Sequence, residues 1–159
     1  SVEFHISLSA QVTLDPRTAH AKLLVADDLS SVRQATAAQD VPATPERFLS
    51  PPCVLGLRGF SSGRHYWEVE VTGQGSWAVG VARGSVPRDR CLPVMVNRDV
   101  WALCHCTGAD KVLNLPKIDD FDLEVPQKLR VVLDLQEGRV VFFDANTEKR
   151  LYTFQEASF

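Results

Sequence analysis

The chain alternates apolar and polar side chains at period two, in short runs separated by turn-forming residues, and this restricts it to antiparallel sheet. Arg64-His65-Tyr66-Trp67-Glu68-Val69-Glu70-Val71 and Trp77-Ala78-Val79-Gly80-Val81-Ala82 show it most clearly, each built around a Trp. Gly73-Gln74-Gly75 lies between them, so the two runs are predicted to pair as an antiparallel hairpin.

Further runs follow the same grammar. Val2 to Leu8 alternates and is expected to continue through Ala10 and Val12 to Leu14, where Asp15-Pro16 stops it. Lys22 to Ala26, Ser31 to Gln34, Cys53 to Gly56, Val100 to Cys106, Lys111 to Leu115, Lys128 to Asp134, Arg139 to Asp144 and Leu151 to Phe154 also read as strands. A hairpin is expected at Gln136-Glu137-Gly138, with Gly138 taking positive φ, and a turn at Asp144 to Thr147. Residues 35–52 carry four prolines (Pro42, Pro45, Pro51, Pro52) and read as an extended surface loop with Phe48 as its buried anchor. No long stretch keeps apolar residues at helical spacing. So many short strands imply an all-β sandwich, two antiparallel sheets facing each other, rather than a parallel sheet.

Composition narrows the function. With 159 residues, 45% hydrophobic and 23% charged, the chain suits one compact, folded domain. A net charge of −3 gives no electrostatic basis for binding nucleic acid or an anionic membrane. No apolar run approaches the roughly 20 residues of a spanning helix, and the first residues lack the basic and apolar regions of a signal peptide, so neither anchor nor leader is expected. The four cysteines, Cys53, Cys91, Cys104 and Cys106, do not make a small-scaffold disulfide framework. Reduced thiols and a cytoplasmic location are the simpler expectation.

The motifs in chain order resemble a PRY-SPRY domain, as found at the end of tripartite-motif ubiquitin ligases and in butyrophilins. Thr13-Leu14-Asp15-Pro16 with Thr18-Ala19-His20 is similar to the opening of the PRY part, and Pro45-Glu46-Arg47-Phe48 to its close. Gly59 to Val69 resembles the start of the SPRY part, Leu133 to Phe143 its late hairpin, and Leu151 to Phe154 the strand that follows. The resemblance implies a bent sandwich of jelly-roll type, with residues 1–11 as an extension or extra strand, 12–52 as PRY and 53–159 as SPRY. It also implies that the family continues some two dozen residues past the level of Phe159. Either Val2 to Leu8 or a second copy of the chain, as a homodimer, is then expected to cover an open sheet edge, the alternative being a further tail not included in this sequence.

Function, on this resemblance, is recognition of a protein or peptide segment, with no catalysis, no cofactor and no metal. The alternative is a butyrophilin-like domain that senses a small anionic, phosphorylated ligand in a basic pocket. Family position places the site at Arg83, Gly84, Leu103, Cys104, Cys106 and Lys111. Where some relatives carry aromatic residues this chain has Cys104 and Cys106, which implies a smaller, softer pocket. Arg88 and Arg90 join Arg83 and Lys111 as a basic rim able to grip a carboxylate or phosphate; alternatively these are loop charges paired with Asp89 and Asp99.

Other candidates carry less. In Cys104-His105-Cys106 the two thiols share one strand face and the imidazole points to the other, so a zinc site is not expected. Asp119, Asp120, Asp122 and Glu124 do not follow calcium-loop spacing. Trp67 and Trp77 are expected in the core, Trp101 in the core or at a ligand. His20 and His65 are expected to cap or fill structure.

Overall fold

The structure, a computed structural model, describes residues 2–7, 12–50, 52–89, 99–106 and 126–159. Within them lie nine strands: β1 (Val2–Ser7), β2 (Leu23–Val25), β3 (Ser31–Gln34), β4 (Arg64–Gly73), β5 (Trp77–Ala82), β6 (Val100–His105), β7 (Lys128–Asp134), β8 (Arg139–Asp144) and β9 (Arg150–Phe154). Seven form one sheet in the order β2-β3-β1-β4-β7-β8-β9, and β5 and β6 form a second. Every pairing is antiparallel. The fold is the expected all-β sandwich of two antiparallel sheets.

Alternation builds the core. Trp67, Val69 and Val71 of β4 and Leu129, Val131 and Leu133 of β7 all point inward, while Tyr66, Glu68 and Glu70 take the other face. Val140 and Phe142 of β8 extend the inner layer, and Trp77 and Leu103 meet it from the second sheet. Phe142, Leu129, Val131, Val140 and Leu103 are fully buried, and each such side chain contributes roughly 1.5–3 kcal/mol by leaving water. On the outer face, Arg130 donates to Glu68 at 2.8 Å and Lys128 lies 3.5 Å from the same carboxylate, which fixes the β4–β7 register from outside.

The turns behave as read at two places. Gly138 has φ 68° in the β7–β8 hairpin, and Asp144 Oδ1 accepts the Asn146 and Thr147 amides to close the β8–β9 turn. The segment between the two Trp-centred runs does not. β4 and β5 are not hydrogen-bonded to each other: β4 lies between β1 and β7, and β5 pairs with β6 in the opposite sheet. The predicted hairpin is therefore a crossover between layers. Both edges of β4 are occupied, and Trp77 inserts its indole between the sheets with 9% exposure. Gly73 and Gly75, at φ 89° and 139°, carry the chain around this corner.

Two other segments differ from expectation. The described part of β1 is Val2–Ser7, its expected continuation through Ala10 lying outside the described residues; Leu14 makes an isolated bridge to Gly56, and Cys53 to Gly56 forms no strand. Its backbone bonds go one at a time to the PRY part: Asp15 N–H to the Leu55 carbonyl (2.9 Å), His20 N–H to the Cys53 carbonyl (3.1 Å), and Leu55 N–H to Thr18 Oγ1 (2.9 Å). The segment Lys111 to Leu115 lies outside the described residues. Finally, β1 covers no open edge. It sits inside the large sheet, paired with β3 on one side and β4 on the other, with Glu3 opposite both Arg33 and Thr72.

Candidate partner-binding surface

The second sheet carries the expected site, and its register sorts the side chains. Trp77 lies opposite His105, Val79 opposite Leu103 and Val81 opposite Trp101 on the face toward the core; Ala78 lies opposite Cys104 and Gly80 opposite Ala102 on the other. Gly80 permits this close pairing. A Cβ there would lie 2.5 Å from Ala102 Cα and 2.7 Å from its Cβ, and against the Trp101 carbonyl oxygen.

β6 is covered on both faces. Leu103 is completely buried and belongs to the core, while Ala102 and Cys104, on the opposite face, are exposed by only 5% and 2%. Leu103 and Cys104, both assigned to the site by the family resemblance, are thus buried side chains of β6. Cys106, beyond the strand end, is half-buried, and its Sγ lies 4.0 Å from Cys104 Sγ.

Arg83 follows the other end of β5. Its amide donates to the Asp99 carbonyl at 2.9 Å, and its guanidinium donates to Asp99 Oδ1 at 3.0 Å and to the Ser158 carbonyl. The same group lies 5.4 Å above the Trp101 ring, whose edge meets Phe159 at 4.8 Å between centroids. Arg88 is tied down as well. It donates to the Glu46 carbonyl at 2.7 Å and the Gly84 carbonyl at 3.1 Å, stacks 5.6 Å above Phe48, and through its own carbonyl accepts the Leu49 amide. Phe48 is buried at 3%, as the anchor of the proline-rich loop should be. Between these two arginines Gly84 and Ser85 are exposed, and nothing approaches the Cβ position of Gly84. Arg90 and Lys111, the other two cations of the expected rim, lie outside the described residues.

Among the described residues, those grouped by sequence do not converge on one spot. Arg83 is level with Asp99, and Cys104 is level with Ala78, five residues back along β5; at about 3.3 Å per residue that is roughly 17 Å. Arg83, Gly84 and Arg88 form one end of the sheet and Cys106 lies beyond the other. Sequence reading missed Trp101 and Ser158 as partners of Arg83, and Glu46 and Phe48 as partners of Arg88. Only the bland reading of Arg83 as an Asp99 partner pointed toward this, since nothing local to position 83 signals a residue 75 positions later.

The remaining titratable candidates are structural. His65 stacks on Phe60 at 4.0 Å and bonds the Ser62 carbonyl at 2.7 Å, and His20 Nδ1 accepts the Lys22 amide. Burial pushes the Cys53 thiol up to about 11, which keeps it protonated and unreactive at neutral pH. The Arg17 side chain, bonded at 3.1 Å, holds the Asp15 carboxyl below the ordinary range. The acidic residues 119–124 lie outside the described residues, as does Cys91.

A β-sandwich that ties its loop arginines to its own backbone and leaves an exposed turn between them has the form of an interaction module. Comparison with known proteins agrees: residues 12–60 match the PRY, or SPRY-associated, domain and residues 64–159 match the SPRY domain, so the chain belongs to the PRY-SPRY family. It is 42% identical to the mouse (Mus musculus) E3 ubiquitin-protein ligase TRIM58 over 90% of this chain and 30% of that protein. To butyrophilin subfamily 1 member A1 of Bos taurus it is 39% identical, over 95% of this chain and 29% of that one. It thus spans about 30% of the length of these relatives. The crystal structure of the TRIM65 PSpry domain superposes with a TM-score of 0.70 at 24% identity, covering 93% of this chain and 79% of that one. SPRY domains bind protein ligands, and no helix among the described residues is long and apolar enough to cross a membrane.

Proposed function

We propose that this domain selects the target of a tripartite-motif E3 ubiquitin ligase by binding a protein segment at the sandwich end formed by Arg83, Gly84 and Arg88. The observation that carries this reading is the turn between the two arginines. Gly84 and Ser85 stand exposed on a backbone held at both ends by side-chain bonds. A turn already held in place loses little conformational freedom when a partner docks. The engagement of both guanidinia also favours a protein segment over a small phosphorylated ligand, because an anion clamp needs uncommitted donors converging on one point.

Capture of partners from cytosolic extract tests this. Gly84→Arg projects a long cation from the turn without an internal clash, and should abolish capture, while Tyr66→Arg on the outer face of the large sheet should leave it intact. Equal capture by both variants would refute the assignment. Calorimetry with inorganic pyrophosphate covers the alternative: binding that disappears in Arg83→Ala would replace the protein-segment reading with the ligand-sensing one.

A further inference from the structure

We propose that Thr44 is a phosphorylation site for a proline-directed protein kinase, with Arg47 and Arg17 as the counter-charges of the phosphate. The chain holds two hydroxyl residues followed directly by proline, Thr44-Pro45 and Ser50-Pro51, and their surroundings differ. Thr44 and Pro45 open a turn. The Arg47 amide donates to the Thr44 carbonyl at 3.1 Å, which puts proline at the second turn position, where its fixed φ fits. Pro42, Ala43, Pro45 and Glu46 are exposed and Thr44 is half-buried. Arginine side chains hold this stretch by its carbonyls, Arg47 at Pro42 (3.0 Å) and Arg88 at Glu46 (2.7 Å), while Pro42 and Pro45 have no amide hydrogen to donate. A stretch held in this way can open locally without breaking a strand ladder, as entry into a kinase cleft requires. Ser50 instead follows an anchored segment. Phe48 is 3% exposed, its amide donates to the Thr18 carbonyl at 3.0 Å, and the Leu49 amide donates to the Arg88 carbonyl at 2.7 Å.

Charge around the turn favours the modified state. Arg47 donates from Nε to the Pro42 carbonyl and from Nη1 to the Ala19 carbonyl at 2.7 Å, and from its amide to Thr44, so it brackets the acceptor residue. Arg17, its side chain 73% exposed, pairs with Asp15 at 3.1 Å and stands near enough to the Glu46 carboxylate for the two charges to attract. A phosphothreonine brings a charge of about −1.5 to −2 and three acceptor oxygens, the geometry that guanidinium groups hold best. The step transfers the γ-phosphoryl group of ATP to Thr44 Oγ1. The Oγ1–P bond forms, the bond from the γ-phosphorus to the bridging oxygen breaks, ADP leaves, and the hydroxyl proton passes to the kinase's base.

The test incubates the folded domain with ATP and an active kinase of the mitogen-activated class and maps the phosphate by mass spectrometry. The wild type should take up one equivalent, on Thr44. Thr44→Ala and Pro45→Ala should each lose the label and Ser50→Ala should keep it, with circular dichroism verifying that all three are folded. In phosphorus NMR, the second ionisation of the phosphothreonine should lie lower in the folded domain than in urea, because the arginines favour the dianion. An unlabelled wild type, label on Ser50 in place of Thr44, labelling of Pro45→Ala at the wild-type rate, or an ionisation unchanged by urea would each overturn the assignment.

Discussion

Gly80→Ala is the smallest change that should damage this fold, because the added methyl has nowhere to go. It would stand 2.5 Å from Ala102 Cα and 2.7 Å from Ala102 Cβ, with the Trp101 carbonyl closer still. All three are backbone or backbone-bound atoms and cannot rotate away. Ordinary contact lies about an ångström further out, so β5 and β6 must separate locally and weaken their ladder. Overpacking of this kind costs typically 1–3 kcal/mol, and the immovable neighbours place Gly80→Ala toward the top of that range. Replacing glycine also restricts the unfolded chain, which returns about 0.4–1 kcal/mol. The net expectation is a loss of about 2 kcal/mol, or roughly 4–8 °C in Tm for a chain of this length. Gly84→Ala is the matched control, since nothing lies within 4 Å of its Cβ position, and it should be neutral or slightly stabilising. Urea denaturation of the two variants beside the wild type gives the answer. A Gly80→Ala midpoint equal to that of Gly84→Ala would refute the argument that close strand approach, rather than turn conformation, demands glycine in this strand.

Other outcomes follow from the same geometry. Phe142→Ala empties a fully buried site and should cost about 3–5 kcal/mol in chemical denaturation. Arg88→Ala removes the stacking on Phe48 and the bonds to the Glu46 and Gly84 carbonyls; at an exposed position this should cost about 1 kcal/mol, and hydrogen exchange should accelerate at the Leu49 amide. Asp15 has a folded pKa below its unfolded value, chiefly through the Arg17 hydrogen bond. Its contribution is therefore complete above the unfolded pKa of about 3.9 and is lost as pH falls through the lower folded value. Urea midpoints measured from pH 6 down to pH 2.5 should show Asp15→Asn with a shallower acid limb than the wild type, and parallel limbs would contradict the assignment.

Local patterns were legible because local physics decides them. Alternation in Arg64 to Val71 and Lys128 to Asp134 matches their burial, Gly138 and Asp144 mark their turns, and the pattern around Trp67, Trp77 and Phe48 marks them as core. Pairing was harder. A corner that crosses between sheets uses the same glycines and the same flanking alternation as a hairpin, so the path from Val71 to Trp77 could be read either way. Choosing between them depends on whether β1 and β7 already occupy the edges of β4, which is a fact about residues far away. The site suffered for the same reason. That Leu103 and Cys104 are both buried, on opposite faces of one strand, depends on what covers each face. That Arg88 rests on Phe48 depends on a contact spanning 40 positions. Neither leaves a mark in a window of ten residues.

The place of β1 has a consequence for how this domain can be cut and made. β3 reaches the rest of the large sheet only across β1, and β1 joins residues such as Glu3 and Thr72 that are 69 positions apart. Deleting the first few residues would thus not trim an ornament. It would pull the keystone and remove the strand through which β2 and β3 join the large sheet. During synthesis β1 must wait for β4 before it finds both neighbours, a long-range closure of the kind that slows sheet formation.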